Sequence, residues 1–519
     1  MRPRPSPSRP YAGGGGAGLH GVGGGIFPAM NIPAGTAASS SNSSPFSAVT
    51  HYRRRQLLRR AAVALGAALA LYCLAYLFRG RSSTSTTSTS TSTTTTGSSQ
   101  GADAKWGFGL GLAGGDSDKP RRPPPAEVLR NLSLTEEQCE AYFPGLTKEV
   151  DYMVAKGPFE VKQTGDLGPL QGRIQDGQIY IIHAQRKSDL SEEMLNSRTA
   201  SLHQLHRAIV TSPSPIPDTI FTLNFQDQPF GTSWTYSRHA DPQYGAHNAN
   251  ARSFLMPHFS FWAWDLPFIG SMGRAAKAIA ALEAEYASPR GRWSDKIPKA
   301  VWRGTTWFSS VHSPGMRKKL VQTAQGKPWA DVEPLDWGSG GGNNNASNAL
   351  PIEGFCRYRY VIHTEGIAYS GRFQFLQMCA SVVITPPIVW MQHVTHLARP
   401  LFSSELGHGG KPWTPTEATR RAWPRSYAPD EANIVFVAPD WSDLAETVEW
   451  LERHPDVAEG IARRQRELFA DGGYFSPAAE TCYWRALVRG WAKMARTEGQ
   501  GWDETQGIPF ETFSLTNTV

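Results

Sequence analysis

The sequence predicts an α/β protein whose globular part forms two domains that face a cleft. Short apolar runs rich in β-branched residues alternate with segments of helical periodicity, the pattern of sheets flanked by helices. Roughly 400 residues follow the N-terminal region, more than one ordinary hydrophobic core accommodates. Ligands of such folds bind at the carboxyl ends of strands, where we expect the functional side chains. The predicted buried strands are Ile179–His183, Thr219–Phe225, Tyr360–Thr364, Ser381–Thr385 and Ile434–Ala438.

Helical periodicity marks three further segments. From Gly273 to Tyr286, apolar side chains recur on one helical face. A second helix carries the apolar positions from Leu444 to Leu451 and ends before Pro455. Pro477 opens a last helix, because proline is well tolerated in the first turn. The predicted order of strands and helices therefore extends to the C-terminal part of the chain.

The N-terminal region carries most of the positive charge. Residues 1–81 contain ten arginines and no other charged residue, and removing those ten from the 52 basic residues leaves 42 against 45 acidic ones. The folded part is therefore slightly acidic, and its bulk charge does not favour nucleic-acid binding. We expect residues 1–56, rich in glycine, proline and serine, to be a disordered cytoplasmic tail.

An apolar stretch at residues 61–78 predicts a membrane anchor. Its 18 uncharged residues would extend roughly 27 Å as a helix, enough for a thin bilayer. Five arginines between residues 53 and 60 precede it and only two follow, which favours a lumenal C-terminus. A signal-anchor helix over residues 57–80 is the prediction. A cleaved signal peptide and a buried soluble helix are the alternatives.

A low-complexity linker separates this anchor from the folded part. Residues 81–120 include an unbroken serine and threonine run, typical of an O-glycosylated stalk. The globular part then divides into residues 121–295, completed by a C-terminal segment 476–519, and residues 296–475. Asn131 and Asn345 lie in acceptor sequons for N-glycosylation.

Asp227 lies directly after the predicted strand Thr219–Phe225 and shortly before Pro229. A carboxylate at the end of a strand can face a cleft and act as a general base. Asp is also a common turn residue, and this position alone favours the turn.

A second strand end delivers an arginine. Val301 and Trp302 lead into Arg303, Gly304 and Thr305. The planar guanidinium donates two parallel hydrogen bonds to a phosphate, and the glycine lets backbone approach a ligand. A surface salt bridge is the equally weighted alternative.

The segment from Gly366 to Arg372 is the third candidate. It follows the predicted strand Tyr360–Thr364 and runs through Ser370 into a helix-like stretch, Phe373–Cys379. Unpaired N–H groups at a helix start attract anions, and Arg372 adds a full positive charge. The pattern predicts a diphosphate pocket, although the glycine spacing alone is weak.

Metal signatures are poor, and an aromatic segment has an open role. The predicted catalytic part has no Asp-x-Asp, and no glutamate sits between His393 and His396 as zinc-protease logic requires. Phe259, Trp262 and Trp264 belong to a dense aromatic patch. Such a patch forms core or stacks on sugars, and the sequence favours neither.

Taken together, these segments resemble glycosyltransferase family 90, which includes capsule-associated proteins and protein O-glucosyltransferase-like enzymes. The strongest element is residues 356–401, similar to the family's Cys-x-Tyr-x-Tyr and Gly-x3-Ser-x-Arg-x3-Leu-x2-Cys block. Shorter similarities are VWRGT at 301–305, LNFQDQP at 223–229, PHFSFWAWD at 257–265 and TCYW at 481–484.

The resemblance implies a GT-B arrangement of two Rossmann-like domains and an inverting mechanism without a bound metal or other cofactor. It assigns the catalytic base to Asp227 and donor contacts to Arg303, Ser370 and Arg372. Gly304, Thr305 and Gly366 would complete the donor site. Trp262, with Phe259 and Trp264, would lie near the sugar or acceptor.

Two positions depart from the glucosyltransferase branch of that family. Gln226 and Glu365 stand where that branch has arginines. For this reason we do not assign the protein acceptor of that branch to this chain. The sequence resembles the fungal-type capsule or wall xylosyltransferases more closely.

Four cysteines follow the anchor and allow three disulfide pairings. Cys356 and Cys379 flank the donor loop, so we predict that they pair, which leaves Cys139 with Cys482.

The sequence therefore predicts a Golgi, single-pass type II membrane glycosyltransferase, with the ER membrane also possible. It would use UDP-xylose or UDP-glucose and a glycan or glycoprotein acceptor, contact lipid through residues 61–78, and bind no nucleic acid. The alternative is a catalytically inactive, membrane-tethered glycan-binding protein of the same fold.

Overall fold

The fold was analysed in a computed structural model of the chain. The structure describes residues 122–519 except 165–167, 246–250, 290, 311, 339–345, 408–411 and 504. The predicted tail, anchor and stalk, and the sequon residue Asn345, lie outside the described residues. Among the described residues, no helix has the length and apolar character needed to cross a membrane.

The described chain is a mixed α/β protein built on two six-stranded sheets. The strands are β1 Phe159–Glu160, β2 Leu170–Gln175, β3 Gln178–His183, β4 Thr219–Leu223, β5 Ser233–Thr235, β6 Arg238–His239, β7 Ser253–Leu255, β8 Ile297–Gly304, β9 Ala330–Pro334, β10 Tyr358–Ile362, β11 Val382–Thr385, β12 Trp390–Met391, β13 Pro400–Phe402, β14 Ile434–Phe436, β15 Ala495–Arg496 and β16 Ile508–Pro509. The helices are α1 Ala126–Arg130, α2 Glu136–Tyr142, α3 Lys148–Val154, α4 Glu192–Val210, α5 Met272–Tyr286, α6 Met316–Ala324, α7 Phe373–Leu376, α8 Glu417–Ala422, α9 Leu444–Arg453, α10 Pro455–Arg466, α11 Pro477–Met494 and α12 Phe510–Thr516. Each of the five predicted strands coincides with an observed one, within two residues at either end.

The second sheet is entirely parallel. Its strand order is β13-β14-β11-β10-β8-β9, and every neighbouring pair is parallel. β8 and β10 are adjacent, so the segments that follow Gly304 and Ile362 emerge at the same edge. This edge is where the sequence placed the donor-binding residues.

The first sheet differs from the Rossmann-like arrangement expected for residues 121–295. Its order is β16-β3-β2-β4-β5-β7, and the three pairs made by β16, β3, β2 and β4 are antiparallel. The reason is local, because β2 and β3 are joined by Asp176 and Gly177, both with positive φ. Two such residues form the tight turn that matches the twist of a β-hairpin. Only β4, β5 and β7 run parallel.

The C-terminal segment packs on this first sheet. α11 buries Trp484 and Trp491, and the Trp491 indole donates a hydrogen bond to the Ile220 carbonyl of β4 at 2.7 Å. β16 then adds an antiparallel edge strand beside β3. The last forty residues are therefore folded against elements that lie some 300 positions earlier.

Two disulfides cross-link the described chain, and they are the two predicted pairs. Cys139 joins Cys482 across 343 positions and ties α2 to α11. Cys356 joins Cys379 across 23 positions and closes the loop that contains β10 and α7. Chain entropy makes a loop of the second size worth about 3 kcal/mol.

Candidate active site

A cavity of about 580 Å³ is lined by residues of α4, of α6, of the end of β8 and of the loops around them. Among the predicted site residues it is lined by Arg303, Gly304, Thr305, Ser370, Arg372, Phe259 and Trp264. The cavity therefore brings together the two strand ends of the parallel sheet and the aromatic segment that precedes α5. Asp227, Trp262 and Gly366 are not in its lining.

Asp227 lies beside the cavity in a turn that the sequence shapes locally. The Asn224 side chain bonds both ends of this turn, accepting from the Gln226 N–H at 3.0 Å and donating to the Gln228 carbonyl at 2.8 Å. The Asp227 side chain is open to solvent, yet it is surrounded by protein on several sides. Desolvation by that protein and the nearby Glu193 raise the pKa of Asp227, while the positive charge of Arg317 opposes the shift. A raised pKa makes the carboxylate a stronger proton acceptor.

Arg303 has a carboxylate partner of its own. Its guanidinium donates to the Asp331 carboxylate at 2.7 Å and to the Asp331 carbonyl at 2.9 Å. Burial favours neutral Asp331, but hydrogen bonds from Tyr358 and Arg303 outweigh it and lower the pKa of Asp331. Asp331 is therefore ionised and neutralises Arg303. Arg303 therefore forms a salt bridge, as the alternative prediction stated. It does so at the cavity wall, where it is buried, and not on the surface.

Arg372 differs from Arg303 in its hydrogen-bond partners. It is partly buried, it donates through Nη1 to the Arg303 carbonyl, and its Nε has no hydrogen-bond partner. Its guanidinium lies 5.6 Å from the Phe355 ring and 5.9 Å from the Trp302 ring. Burial and the neighbouring Arg317 lower the pKa of Arg372 to about 9. In the part of the chain that the structure describes, no carboxylate lies within salt-bridge distance of it.

The helix expected after Arg372 is shorter than predicted. α7 covers only Phe373–Leu376, and the chain turns again before Cys379. A four-residue helix has little dipole to offer an anion. The positive charge at this loop comes from the Arg372 side chain.

Arg317 is a cavity residue that the sequence reasoning missed. It lies in α6 and is 7% exposed. Its Nε donates to the Glu365 carbonyl at 3.0 Å and its Nη1 to the Thr305 carbonyl at 3.0 Å. Burial lowers the pKa of Arg317 to about 10, and the charge of Asp227 acts in the other direction. In sequence, Arg317 stands beside Lys318 and Lys319 and looks like one more surface cation.

Glu365 lies below the same loop and is fully enclosed. Its Oε1 accepts hydrogen bonds from the N–H groups of Val389 at 2.9 Å and Trp390 at 2.7 Å. Burial outweighs these bonds and raises the pKa of Glu365 to about 8. At neutral pH Glu365 is mostly uncharged, so it does not cancel the charges of Arg317 and Arg372.

The predicted glycines are needed by protein packing. A Cβ on Gly304 would lie 2.5 Å from the Trp302 ring, and one on Gly371 would lie 2.5 Å from His258 Nε2. Gly366 donates its N–H to the carbonyls of Ala368 and Tyr369 and closes a tight turn. These glycines shape the loops around the cavity, and Gly304 also lines it.

The aromatic patch divides into two groups. Phe259 and Trp264 line the cavity. Trp262 is 41% exposed and stacks on His203 of α4, with ring centroids 4.9 Å apart. Trp262 is outside the cavity lining, because consecutive aromatic residues of this short helical turn point in different directions. Its assignment to the sugar stays a prediction.

His393 and His396 also lie apart from the cavity lining. His393 packs edge-on against the rings of Phe261 and Tyr483. His396 donates from Nε2 to the Gly145 carbonyl at 2.8 Å. Both histidines have structural contacts.

Comparison with known proteins is consistent with this site. Residues 137–402 match the model of glycosyl transferase family 90. An O-glucosyltransferase rumi homolog from Aedes aegypti is 27% identical over 218 residues, covering 41% of this chain and 45% of that protein. Protein O-glucosyltransferase 1 from Homo sapiens is 23% identical over 309 residues, covering 56% of this chain and 67% of the human protein.

The family match covers every charged residue at the cavity wall and all strands of the two six-stranded sheets except β14 and β16. It begins before α2 ends and stops at the end of β13. It includes more than half of the 519 residues. The chain belongs to glycosyl transferase family 90.

Proposed function

We propose that this protein is an inverting glycosyltransferase that moves xylose or glucose from a UDP-sugar to a hydroxyl of a glycan or glycoprotein. One observation carries the proposal. The guanidinium groups of Arg317, which is buried, and Arg372, which is partly buried, face one cavity without a carboxylate partner among the described residues, and Asp227 lies within electrostatic reach of Arg317. Unpaired buried cations are costly unless an anion completes them, and a diphosphate is a matching anion.

The arrangement of the two sheets supports a GT-B assignment. The parallel sheet presents Arg303 and Arg372 at its carboxyl edge, as expected for the nucleotide-binding half. The mixed sheet presents Asp227 at the end of β4, on the side from which an acceptor would enter. The family membership and the names of the relatives point to the same reaction class.

The proposed reaction is a single displacement at the anomeric carbon. Asp227 accepts the proton of the acceptor hydroxyl as its oxygen forms a bond to that carbon. The bond from the anomeric carbon to the β-phosphate oxygen breaks, and UDP leaves with the electron pair on the opposite face. Arg317 and Arg372 stabilise the negative charge that develops on the phosphate, because preorganised donors in a water-poor site act most strongly where charge appears.

Two cations at the leaving group supply the charge that a divalent metal supplies elsewhere. We therefore expect transfer from a UDP-sugar to survive EDTA, with less than a twofold change in rate. The measurement is product formation by the full-length protein with a panel of UDP-sugars, with and without the chelator. Complete loss in EDTA that manganese restores would contradict the leaving-group chemistry.

The same panel separates the enzyme from an inactive glycan-binding protein. Turnover of UDP-xylose or UDP-glucose, by transfer or by slow hydrolysis, identifies the donor. UDP binding without turnover of any sugar, together with binding of glycans, would favour the inactive alternative.

We also propose that the protein is a type II Golgi membrane protein anchored in the lipid bilayer through residues 61–78. Two disulfides fit an oxidising lumen, and the sequon residue Asn131 is exposed. A mobility shift on deglycosylation that is lost in Asn131→Gln would support lumenal exposure of this site. Microscopy against Golgi and ER markers would place the compartment.

A further inference from the structure

Two neighbouring aromatic side chains in the cavity lining are exposed. Trp307 is 63% exposed and Phe308 is 41% exposed. Trp307 is the most exposed of the large aromatic side chains among the described residues. The two ring centroids lie 6.0 Å apart, and neither ring packs against another ring of the described chain. A single exposed apolar residue on an open surface is ordinary, but an adjacent pair inside a cavity marks a place where another molecule binds.

The loop that carries this pair is held on both sides of it. Before the pair, the Thr305 carbonyl accepts a hydrogen bond from Arg317 Nη1 at 3.0 Å. After the pair, the Ser310 hydroxyl accepts one from the Trp390 indole at 3.3 Å. Thr305 and Ser310 are both buried. Because the two anchor points are fixed in the protein, the backbone between them presents the two rings to the cavity.

Unpaired polar groups line the same cavity. Glu192, Glu193 and Asn196, all on α4, belong to the lining and are exposed. None of these three side chains has a hydrogen-bond or salt-bridge partner among the described residues. The two carboxylates repel a diphosphate. All three groups accept hydrogen bonds from hydroxyls.

A sugar ring satisfies both kinds of group. Its C–H face is apolar and packs against the face of an aromatic ring, which carries partial negative charge. Its hydroxyls donate hydrogen bonds to carboxylates and amides. In the proposed reaction the anionic donor is matched by the arginines of the cavity. The neutral substrate, which is the acceptor, is therefore the one that suits the aromatic pair and the acidic side chains of α4.

We propose that Trp307 and Phe308 form a stacking platform for a sugar ring of the acceptor, and that the acceptor hydroxyl therefore belongs to a glycan and not to a polypeptide side chain. Hydroxyls of the bound glycan donate to the unpaired groups of α4. This inference rests on the proposed function and narrows it, because the proposed function leaves both kinds of acceptor open and gives these two rings no role.

The first experiment compares acceptors for the full-length wild type, with the UDP-sugar that it turns over. The acceptors are a panel of methyl hexosides and disaccharides, and one glycoprotein before and after enzymatic removal of its glycans. We expect transfer to members of the glycan panel and to the intact glycoprotein, and none to the deglycosylated protein. Transfer to the deglycosylated protein, or to no glycan of the panel, would overturn the inference.

The second experiment uses variants of the platform. Trp307→Ala should raise the KM for the acceptor about five- to tenfold, while kcat, the KM for the donor and the Kd for UDP each change less than about twofold. Phe308→Ala should act in the same direction, and Trp307→Phe, which keeps a ring, should recover most of the loss. Tyr244→Ala is the matched control, because this ring is 52% exposed and lies outside the cavity lining. Its acceptor KM should stay at the wild-type value.

Thermal unfolding checks that each variant is folded, and the midpoints should stay near that of the wild type because the replaced rings are exposed. Two failures can be told apart. If the platform variants leave the acceptor KM unchanged, or weaken UDP binding as much as acceptor binding, the inference is wrong and the proposed function stands. If the wild-type protein neither binds UDP nor transfers sugar, the proposed function itself is wrong.

Discussion

The two walls of the cavity carry opposite charge. The three acidic side chains in its lining, Glu192, Glu193 and Asp265, come from the part of the chain that builds the mixed sheet. The three basic side chains, Arg303, Arg317 and Arg372, come from the part that builds the parallel sheet. This division separates two requirements of glycosyl transfer. A base needs an environment that favours proton uptake, and a leaving diphosphate needs one that favours negative charge.

Within the basic wall, burial alone does not decide what an arginine does. Arg303 is buried and Arg372 is partly buried, and the Arg372 guanidinium donates a hydrogen bond to the Arg303 carbonyl. Arg303 is neutralised by Asp331, whereas Arg372 has no such partner among the described residues. The unpaired arginine is the one whose charge remains for a ligand. Arg303 instead holds the strand ends β8 and β9 together from the side of the cavity.

The largest effect on activity that we expect from this difference between the walls is at Asp227. Asn keeps the shape of the side chain but accepts no proton at neutral pH, so Asp227→Asn should reduce transfer about 100- to 10,000-fold. UDP affinity should change little, because Asp227 is outside the lining of the cavity in which we propose that the diphosphate binds. A transfer assay beside a UDP titration measures both. Transfer near the wild-type rate would leave Asp227 a turn residue, and Asp241 or Asp265 would be tested next.

Glu365 tests whether the buried carboxyl group beside the basic wall is uncharged in the folded protein. Burial in the folded state raises its pKa to about 8 from the ordinary value of 4.5, so the folded state binds the proton more tightly than the unfolded one. Between pH 4.5 and 8, stability should therefore fall as pH rises. Glu365→Gln removes this proton uptake. The variant should gain on the order of 1–3 kcal/mol over wild type between pH 5 and pH 7.

Denaturant unfolding of both proteins at several pH values measures that difference. A constant difference between wild type and Glu365→Gln from pH 5 to pH 8 would show that Glu365 is ionised in the folded protein.

A smaller effect separates the two tryptophans of the aromatic segment. Trp264 lines the cavity, and Trp262 stacks on His203 outside it. Trp264→Ala should raise the KM for one substrate about fivefold, the loss of roughly 1 kcal/mol from an aromatic contact. Trp262→Ala should change KM less than twofold. A larger increase in KM for Trp262→Ala would indicate that this side chain contacts the sugar.

The sequence predicted those features that depend on local patterns. Apolar runs located the strands of both sheets, and the flanking position of Cys356 and Cys379 predicted their bridge. The strand-end position of Arg303 placed it at the carboxyl edge of the parallel sheet, where it lines the cavity. Asp227 follows a strand of the other sheet and is outside the lining. Asp176-Gly177 is also a recognisable hairpin turn, and the hairpin of the mixed sheet could have been predicted from it.

The sequence did not predict features that depend on distant contacts. Nothing local indicates that Asp331 neutralises Arg303 across 28 positions, or that Arg317 points inward from a basic helix. The orientation of Trp262 depends in the same way on the arrival of His203 from α4. Charge pairing and side-chain direction at the site are tertiary properties.

The most direct test of the account is a calorimetric titration of UDP into wild type, Arg372→Ala and Arg274→Ala in EDTA. Arg274 is the control, because it pairs with Glu353 at 3.0 Å and is outside the cavity lining. We predict that wild type and Arg274→Ala bind UDP equally without metal. Arg372→Ala should bind about 10- to 100-fold more weakly, as expected for the loss of a charged hydrogen-bond donor. Equal affinity in all three proteins, or binding that appears only with manganese, would contradict the claim that unpaired arginines hold the diphosphate.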